Sequence, residues 1–320
     1  MKFKIKIPLF LISTILILLN SNNQIQINTK PVIGVMTNSY HDYPNIYDDC
    51  YIALDTVKWL EASGAEVVPL HCWSTKEELR QILSKINGIY FQTGTFSLEI
   101  DDQPFILAKN IIDIVIELKD KNNIDLPLFG TGLGMEILHA VISGSSKSVD
   151  FLANSGNSFR IYIEPTANKD TKLFSYFNDK DIENIGKYPL VFTFNNFGVG
   201  PNEYETYRDL DNFFKQTSFG LDQNERVFIA SIEAKKYPIF GIQFDPESIC
   251  YNSNRSFNVH TGINAVRISH NLSNFFVNTC RDNKNIMNKE EKSNFGVINS
   301  FERLVQIRSG EGIYRYIKSA

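Results

Sequence analysis

The chain has 320 residues, of which 43% are hydrophobic and 21% charged. This length and composition suffice to bury a substantial core, and they exclude a disordered or fibrous protein. The formal net charge of -4 and the lack of Lys/Arg clusters interleaved with aromatic residues exclude a nucleic-acid partner. We therefore expect a globular protein that acts on something other than nucleic acid.

The N-terminus differs from the rest of the chain. Three lysines precede a largely apolar run at 7–19, and polar residues follow it. This layout is typical of a secretory signal peptide, which we place at 1–22 with cleavage anywhere from 22 to 30. A membrane anchor is the alternative, but the run is shorter than the ~20 residues that span a bilayer. We predict an extracellular, lysosomal or vacuolar protein with no stable membrane insertion after cleavage.

Secretory routing would permit disulfides and glycosylation. The four cysteines allow three pairings, between which the sequence does not choose, and buried thiols are the alternative. Asn-x-Ser acceptor triplets begin at Asn254 and Asn271. The cysteines are Cys50, Cys72, Cys250 and Cys280.

The first part of the mature chain alternates between short apolar strands and amphipathic helices. Apolar residues recur at helical spacing after each strand, and Ser74 with Glu77 has the spacing of a capping box. Three β-α units in succession predict a parallel sheet covered by helices. The predicted strands are 31–36, 65–70, 88–91 and 126–129, and the helices end near 63, begin at 74 and begin near 104.

The second part is looser. We predict further strands at 190–194, 227–232 and 239–243 and a last long helix at 265–278. The polar stretch 283–294 is interpreted as a surface loop, and 312–317 as a final strand. The simplest organisation is one domain over 30–280, with 281–320 packing on it.

The most informative segment is 126–136, which reads Leu-Pro-Leu-Phe-Gly-Thr-Gly-Leu-Gly-Met-Glu. In an α/β fold, such a strand that turns on glycines into a helix exposes one residue beside backbone N–H groups that stabilise an oxyanion. The residue at the tip is Gly132, which has no side chain. A dinucleotide loop is an alternative, but the G-x-G-x-x-G spacing and the acidic ribose partner are missing. A plain tight turn is the other alternative.

A second segment, 237–248, reads Tyr-Pro-Ile-Phe-Gly-Ile-Gln-Phe-Asp-Pro-Glu-Ser. Together with the elbow, it resembles the γ-glutamyl hydrolase family of class I glutamine amidotransferase-like proteins, where these segments read G-T-C-L-G and G-V-Q-W-H-P-E. The resemblance extends over 31–35, 59–65, 86–89 and 265–278. It implies a flavodoxin-like three-layer α/β/α fold with a mostly parallel sheet, and hydrolysis of folylpoly-γ-glutamates. It implies no metal and no organic cofactor.

The resemblance also shows where this chain departs from its family. The position of the family's nucleophilic cysteine is Gly132 and that of its histidine is Asp245, while the orienting carboxylate is kept as Glu247. The family's Pro-Gly-Gly loop corresponds to Gln-Thr-Gly at 92–94. There we expect β-branched Thr93 to resist a positive φ.

The remaining candidate site residues surround these positions. Backbone or side-chain groups of Thr93, Gly94 and Leu133 are expected at the oxyanion or ligand. Asn195 and Asn196 occupy the family's Asn-His context. Glu136 resembles a family glutamate near the substrate, with a helix-start carboxylate as the alternative.

None of the five histidines falls at the catalytic position. We predict that His139, two turns along the elbow helix, is a packed helix residue and not a base.

Three hypotheses follow. The first is a non-hydrolytic family member that binds a γ-glutamyl or folate-type ligand, or an active paralogue, as a homodimer or mixed dimer. The second is a weak or altered peptidase that uses Asp245 and Glu247, if these do not simply lie at a solvated strand end. The third is a secreted structural protein without a ligand.

Overall fold

The computed structural model describes residues 28–39, 49–94, 96–152, 156–163, 171–251, 258–298 and 313–317. The predicted signal peptide and Asn254 lie outside these ranges. Within them, every helix is too short or too polar to cross a bilayer.

Strands and helices alternate along the described chain. The strands are β1 Val32–Met36, β2 Asn38–Ser39, β3 Asp49–Ala53, β4 Glu66–Leu70, β5 Gly88–Phe91, β6 Leu128–Thr131, β7 Asp150–Phe151, β8 Asn157–Phe159, β9 Ile161–Ile163, β10 Val191–Thr193, β11 Phe197–Gly198, β12 Phe214–Leu221, β13 Val227–Ala234, β14 Ile239–Ile242 and β15 Ile313–Ile317. The α-helices are α1 Leu54–Ala62, α2 Lys76–Leu83, α3 Gln103–Asn122, α4 Leu133–Ser143, α5 Asp179–Lys187, α6 Glu203–Thr206, α7 Arg208–Phe213, α8 Pro246–Tyr251, α9 Ile263–Arg281 and α10 Lys289–Asn294.

The central sheet has eight strands in the order β4-β1-β5-β6-β14-β13-β12-β9. The first five run parallel, and β13, β12 and β9 continue the sheet antiparallel. The predicted α/β class with a mostly parallel sheet is confirmed. The sequence did not reveal β12, because register shifts near Gln216 and Ser218 interrupt the alternation of buried and exposed side chains.

Helices cover both faces of this sheet. Alternate side chains of β1 point to opposite faces, since Ile33 and Val35 belong to one core cluster and Val32 and Met36 to the other. The first cluster includes the apolar side of α1 and α9, and the second includes that of α2, α3 and α4. The arrangement is therefore three-layered, as the resemblance implied.

The start of α2 corrects one prediction. The N-cap is Thr75, whose N–H and Oγ1 donate to Glu78 Oε2 at 2.8 and 2.9 Å. The predicted capping box of Ser74 and Glu77 is wrong by one residue. Both pairs have the same spacing, but the Ser74 N–H closes a turn onto His71 O at 2.9 Å, which leaves Thr75 to begin the helix.

The segment after α9 corrects another. The predicted surface loop at 283–294 ends in a helix, α10, which a capping box of Asn288 and Glu291 begins. Asn283 is buried, and its Nδ2 donates to Asp125 O at 2.7 Å. The final strand is confirmed as β15, which pairs with β3 in a separate sheet of order β15-β3-β2.

Candidate functional site

The strand-to-helix elbow is formed as the sequence predicts. β6 ends at Thr131, and the next residue, Gly132, has φ 51° and ψ -117° and is the N-cap of α4. A Cβ on Gly134 would lie 2.0 Å from Phe91 O, so α4 approaches β5 more closely than any other residue would allow. The turn is therefore sharp, and its tip lies at the carboxyl edge of the parallel strands.

Residues from neighbouring strands meet at this tip. β5, β6 and β14 are adjacent and parallel, so the residues that follow them lie at the same edge of the sheet. A Cβ on Gly132 would lie 2.5 Å from Asp245 Oδ1, 2.6 Å from Thr93 Oγ1 and 3.2 Å from Asn195 Nδ2. Three predicted site residues thus surround the point where a nucleophilic side chain would begin.

Asp245 is fully buried, with its backbone and side chain both held by the end of β10. Its N–H donates to Phe192 O at 2.8 Å, and its Oδ2 accepts from the Phe194 N–H at 2.6 Å. The alternative of a solvated strand end is wrong for Asp245 and for Glu247, which is 2% exposed. α8 and β10 cover the end of β14. The sequence indicates where this strand ends but not that other elements cover its end.

Glu247 lies in a buried hydrogen-bond cluster. Its Oε2 accepts from the Tyr90 hydroxyl at 3.3 Å and its Oε1 from Thr131 Oγ1 at 3.5 Å. Burial, and then the charge of Asp245, raise the pKa of Glu247 well above its usual value. Tyr90 and Thr131 were not predicted as site residues, because each lies in a strand whose sequence is that of ordinary core.

Glu136 lies one turn into α4 and is fully buried. Its Oε1 accepts from Gln243 Nε2 at 2.7 Å and from Asn195 Nδ2 at 3.1 Å, while its Oε2 has no hydrogen-bond partner among the described residues. Burial raises its pKa to about 7, and the charge of Asp245 adds to this against the two hydrogen bonds. Glu136 is therefore a buried carboxylate in the first turn of α4, joined by a hydrogen bond to Asn195 beside the elbow tip.

The loop at 92–94 is fastened by two residues that the sequence did not single out. Buried Gln92 accepts from the Ala53 N–H at 3.0 Å through Oε1, and its Nε2 donates to Met36 O at 3.1 Å. Asn38 Nδ2 donates to Thr93 O at 2.8 Å. No motif marks these contacts, because they join residues far apart in sequence.

The backbone of this loop agrees with the expectation that Thr93 resists a positive φ. Among the described residues, the non-glycine residues with positive φ are Asn123 and Glu225, so Thr93 is unstrained. Gly94 is required for space, since a Cβ there would lie 1.8 Å from Asn38 Nδ2. The Thr93 hydroxyl lies at the elbow, with its Oγ1 2.6 Å from the Cβ position of Gly132.

Other predicted residues lie around or away from the tip. Leu133 is buried in the first turn of α4, where backbone N–H groups have no partner inside the helix. Asn196 is exposed, and its carbonyl accepts from the Leu152 N–H at 2.5 Å. Asn271 lies in α9 with its Nδ2 donating to Asp181 Oδ2 at 3.2 Å.

His139 is a packed helix residue, as predicted. It is fully buried, with Nδ1 3.0 Å from Met135 O and Nε2 2.9 Å from the Tyr204 hydroxyl. Burial lowers its pKa to about 4, so the imidazole is neutral at physiological pH. Within the described ranges, no three His, Cys, Asp or Glu residues are grouped so that they could hold a metal ion.

The fold and the elbow define an α/β protein with a sharp strand-to-helix turn at the carboxyl edge of a mostly parallel sheet, and Gly132 at the tip of that turn carries no side chain. No family model matches the chain. It is 30% identical over 292 residues to γ-glutamyl hydrolase B of Dictyostelium discoideum, covering 90% of this chain and 81% of that protein. It is 28% identical over 274 residues to γ-glutamyl hydrolase of Homo sapiens, covering 85% and 84%. The chain belongs to the γ-glutamyl hydrolase family.

Solved structures of glutamine amidotransferases are more distant. The glutamine amido transferase from Methylobacillus flagellatus is 12% identical, with a TM-score of 0.48 over 82% of this chain and 98% of that one.

Proposed function

We propose that this chain is a non-hydrolytic member of the γ-glutamyl hydrolase family that binds a γ-glutamyl or folate-type ligand without cleaving it. The observation that carries the proposal is the elbow tip. Gly132 offers no nucleophile, and atoms of Asp245 and Thr93 lie within 2.6 Å of the place where its side chain would begin. There is neither an attacking group nor room for one.

Chemistry supports the loss of turnover. A thiolate that attacks the γ-amide carbonyl needs a neighbouring base that can take and return a proton. Removing both groups leaves only binding and oxyanion stabilisation, on the order of 10³ to 10⁴ over the uncatalysed rate in a studied serine hydrolase. This residual rate is far below that of an ordinary enzyme.

Groups suited to binding remain. The first turn of α4 presents backbone N–H groups, beginning at Leu133, to the carboxyl edge of the sheet, where an anionic or carbonyl oxygen is favoured. Asn195 Nδ2 lies 3.2 Å from the Cβ position of Gly132. A γ-glutamyl carboxylate or amide oxygen is the ligand group that these donors match.

A peptidase based on Asp245 and Glu247 is less well supported. Asp245 Oδ2 already accepts a 2.6 Å bond from the Phe194 N–H, and the raised pKa of Glu247 favours its neutral form. Amide hydrolysis without a metal or a nucleophile gains little from general acid-base catalysis alone. If slow turnover is found, its loss in Asp245→Asn would favour this second function.

The test combines glutamate release from a folylpoly-γ-glutamate with calorimetric binding of the same compound. We expect the natural chain to bind without turnover, and Gly132→Cys/Thr93→Gly/Asp245→His to cleave. Thr93 is included because its Oγ1 lies 2.6 Å from the new Cβ. The matched control is Gly144→Cys with the same two other changes, since Gly144 has positive φ and nothing within 4 Å of its Cβ position.

Each outcome separates the hypotheses. Turnover by the natural chain at an ordinary enzymatic rate would overturn the proposal. Binding of neither a folate-type nor a γ-glutamyl compound would leave a structural protein. Cleavage by the triple variant and not by the Gly144 control would place the chemistry at the elbow.

We also propose that the chain follows the secretory route, on the evidence of its lysines and apolar run at the N-terminus. N-terminal sequencing of protein from the culture medium would find a start between 22 and 30. Recovery of the protein from the cytosol with Met1 intact would contradict the routing.

A further inference from the structure

A pair of cysteines lies away from the elbow, beside the end of β4. β1 and β4 are parallel, with Met36 opposite Leu70, and the Thr37 N–H donates to Leu70 O at 3.0 Å. The two chains therefore continue side by side past the ends of their strands. Cys72 lies two residues beyond Leu70 on one of them.

The other chain brings the second cysteine to the same place. Two residues beyond Thr37 is Ser39, which pairs with Cys50 of β3. On its other side, Cys50 is opposite Tyr316 of β15. The backbone register thus places both cysteines beside the segment at 37–39, Cys50 in β3 and Cys72 in the turn after β4.

The two thiols are in contact in a buried site. The side chains of Cys50 and Cys72 are hydrogen bonded to each other and both reach Thr37. Cys50 is 0% and Cys72 1% exposed. His71 Nδ1 lies 3.9 Å from Cys50 Sγ, and the ring is held by stacking on Trp73 with centroids 4.6 Å apart.

The surroundings favour one thiolate in this pair. Burial alone would raise the pKa of Cys50, but hydrogen bonds with Cys72, His71 and Thr37 outweigh it and lower that pKa. The hydrogen bond to Cys50 and burial raise the pKa of Cys72. A thiolate with a second sulfur in contact is the arrangement from which disulfides form.

We propose that Cys50 and Cys72 form an intramolecular disulfide by exchange with a low-molecular-weight disulfide such as oxidised glutathione. During folding, before the site is buried, the Cys50 thiolate attacks one sulfur of the oxidant and releases one thiolate. Cys72, deprotonated, then attacks the Cys50 sulfur of the mixed disulfide and releases the second. Two protein thiols are oxidised, one external disulfide is reduced to two thiols, and two protons pass from the protein to the products.

The other cysteines remain thiols in this scheme. Cys250 contacts Ser269 Oγ at 3.7 Å and His270 Nε2 at 3.9 Å. Cys280 packs against the start of β5, where a Cβ on Gly88 would lie 2.2 Å from its sulfur. Of the pairings that the sequence left open, the structure brings together only the sulfurs of Cys50 and Cys72.

The bond would join the two sheets. It would tie β3, and β15 through β3, to the end of β4, and so close the chain between 50 and 72. β3 also holds the loop at 92–94, because Gln92 bonds to Tyr51 O at 3.0 Å and to the Ala53 N–H at 3.0 Å. The bond would therefore stiffen one wall of the elbow site.

The decisive experiment is peptide mapping of the full chain after refolding in a mixture of reduced and oxidised glutathione. After alkylation in denaturant, we expect two modified thiols, Cys250 and Cys280, and a peptide pair linked through Cys50 and Cys72. Four alkylated cysteines, or a link that includes Cys250 or Cys280, would overturn the proposal.

A thermal measurement provides a second readout. Reduction should lower the melting temperature of the oxidised protein by roughly 5 °C, as expected for a loop of this length. Cys72→Ser should abolish that redox-dependent shift, and the matched control Cys250→Ser should keep it. A shift of equal size in both variants would contradict the assignment. If Cys72→Ser does not fold, the mapping of the natural chain decides alone.

Discussion

At the elbow, Gly132 and the side chains of Asp245 and Thr93 depend on one another. The carboxylate and hydroxyl oxygens occupy the volume that a Cβ at 132 would need, so each residue fits only while the others are as they are. A reversal of one position alone is therefore expected to harm the fold before it restores any chemistry.

The first prediction concerns Gly132→Ala. The backbone at φ 51° and ψ -117° is adopted almost only by glycine, and the new Cβ would lie 2.5 Å from Asp245 Oδ1. We expect a loss of about 2 to 4 kcal/mol in the free energy of unfolding. Urea denaturation of the variant and the natural chain measures it.

The control for this prediction is Gly144→Ala. Gly144 also has positive φ, at 66°, but nothing lies within 4 Å of its Cβ position, so we expect a loss of about 1 kcal/mol from backbone strain. Gly132→Ala in an Asp245→Ala background should cost less than it does alone. Equal costs in both backgrounds would show that the carboxylate does not restrict this position.

The second prediction concerns the pH dependence that Glu136 gives to stability. Its pKa is about 7 in the folded chain against an ordinary 4.5, so the folded state binds the proton more tightly than the unfolded state. The stabilisation from the protonated form is complete below about pH 4.5 and is lost as the pH rises through 7. The free energy of unfolding falls with rising pH because deprotonation places a charge on Glu136 among buried groups.

Glu136→Gln removes this titration while its Oε1 still accepts from Gln243 and Asn195. Relative to the natural chain, the variant should gain stability between pH 4.5 and about 7.5, by on the order of 3 kcal/mol at most. Urea denaturation across this range tests it. A difference between the two proteins that does not change with pH would show that Glu136 does not titrate there.

Among the secondary-structure elements, α2 has its N-terminus fixed by a local contact. Thr75 and Glu78 cap the helix reciprocally, and the third prediction is that Thr75→Ala lowers the free energy of unfolding by about 1 kcal/mol. Ser74→Ala, one residue earlier, is the matched control and should be nearly neutral. If thermal and urea unfolding showed a larger loss for Ser74→Ala than for Thr75→Ala, the capping box first predicted from the sequence would be correct.

The elements that the sequence predicted well are those with regular spacing. The five parallel strands have short apolar runs, and α3 and α9 have long amphipathic patterns, so both kinds are recognised locally. The antiparallel strand β12 is interrupted by register shifts near Gln216, and α10 is short and has no buried residue. Neither element has the regular spacing of apolar residues from which a strand or helix is predicted.

The site shows the same division. Gly132, Asp245 and Glu247 were predicted because they stand in motifs that resemble a family. Asn38 and Gln92 were missed because their contacts connect separate strands. The burial of a group such as Glu247 is a property of the assembled layers, so neither its hydrogen bonds nor its raised pKa can be obtained from the sequence around it.

In the whole molecule, the two ends of the parallel strands carry different features. The carboxyl edge carries the elbow, and the amino edge carries a buried asparagine cluster. Asn87 Oδ1 accepts from the Val32 N–H at 2.8 Å, and its Nδ2 donates to Asn285 O at 2.8 Å. Asn283 continues the cluster to Asp125 O at 2.7 Å. These contacts join the starts of β1, β5 and β6 to the chain that leaves α9.

The last prediction is that this cluster supports global stability and not the elbow. Asn87→Ala should lower the free energy of unfolding by about 2 to 4 kcal/mol, because the buried Val32 N–H loses its acceptor and Asn285 O its donor. Urea and thermal denaturation measure the loss. Asn122→Ala, at an exposed position in the last turn of α3, is the control and should stay within about 0.5 kcal/mol. If Asn87→Ala matched it, the cluster would be solvated and the segment after α9 would dock through its apolar residues alone.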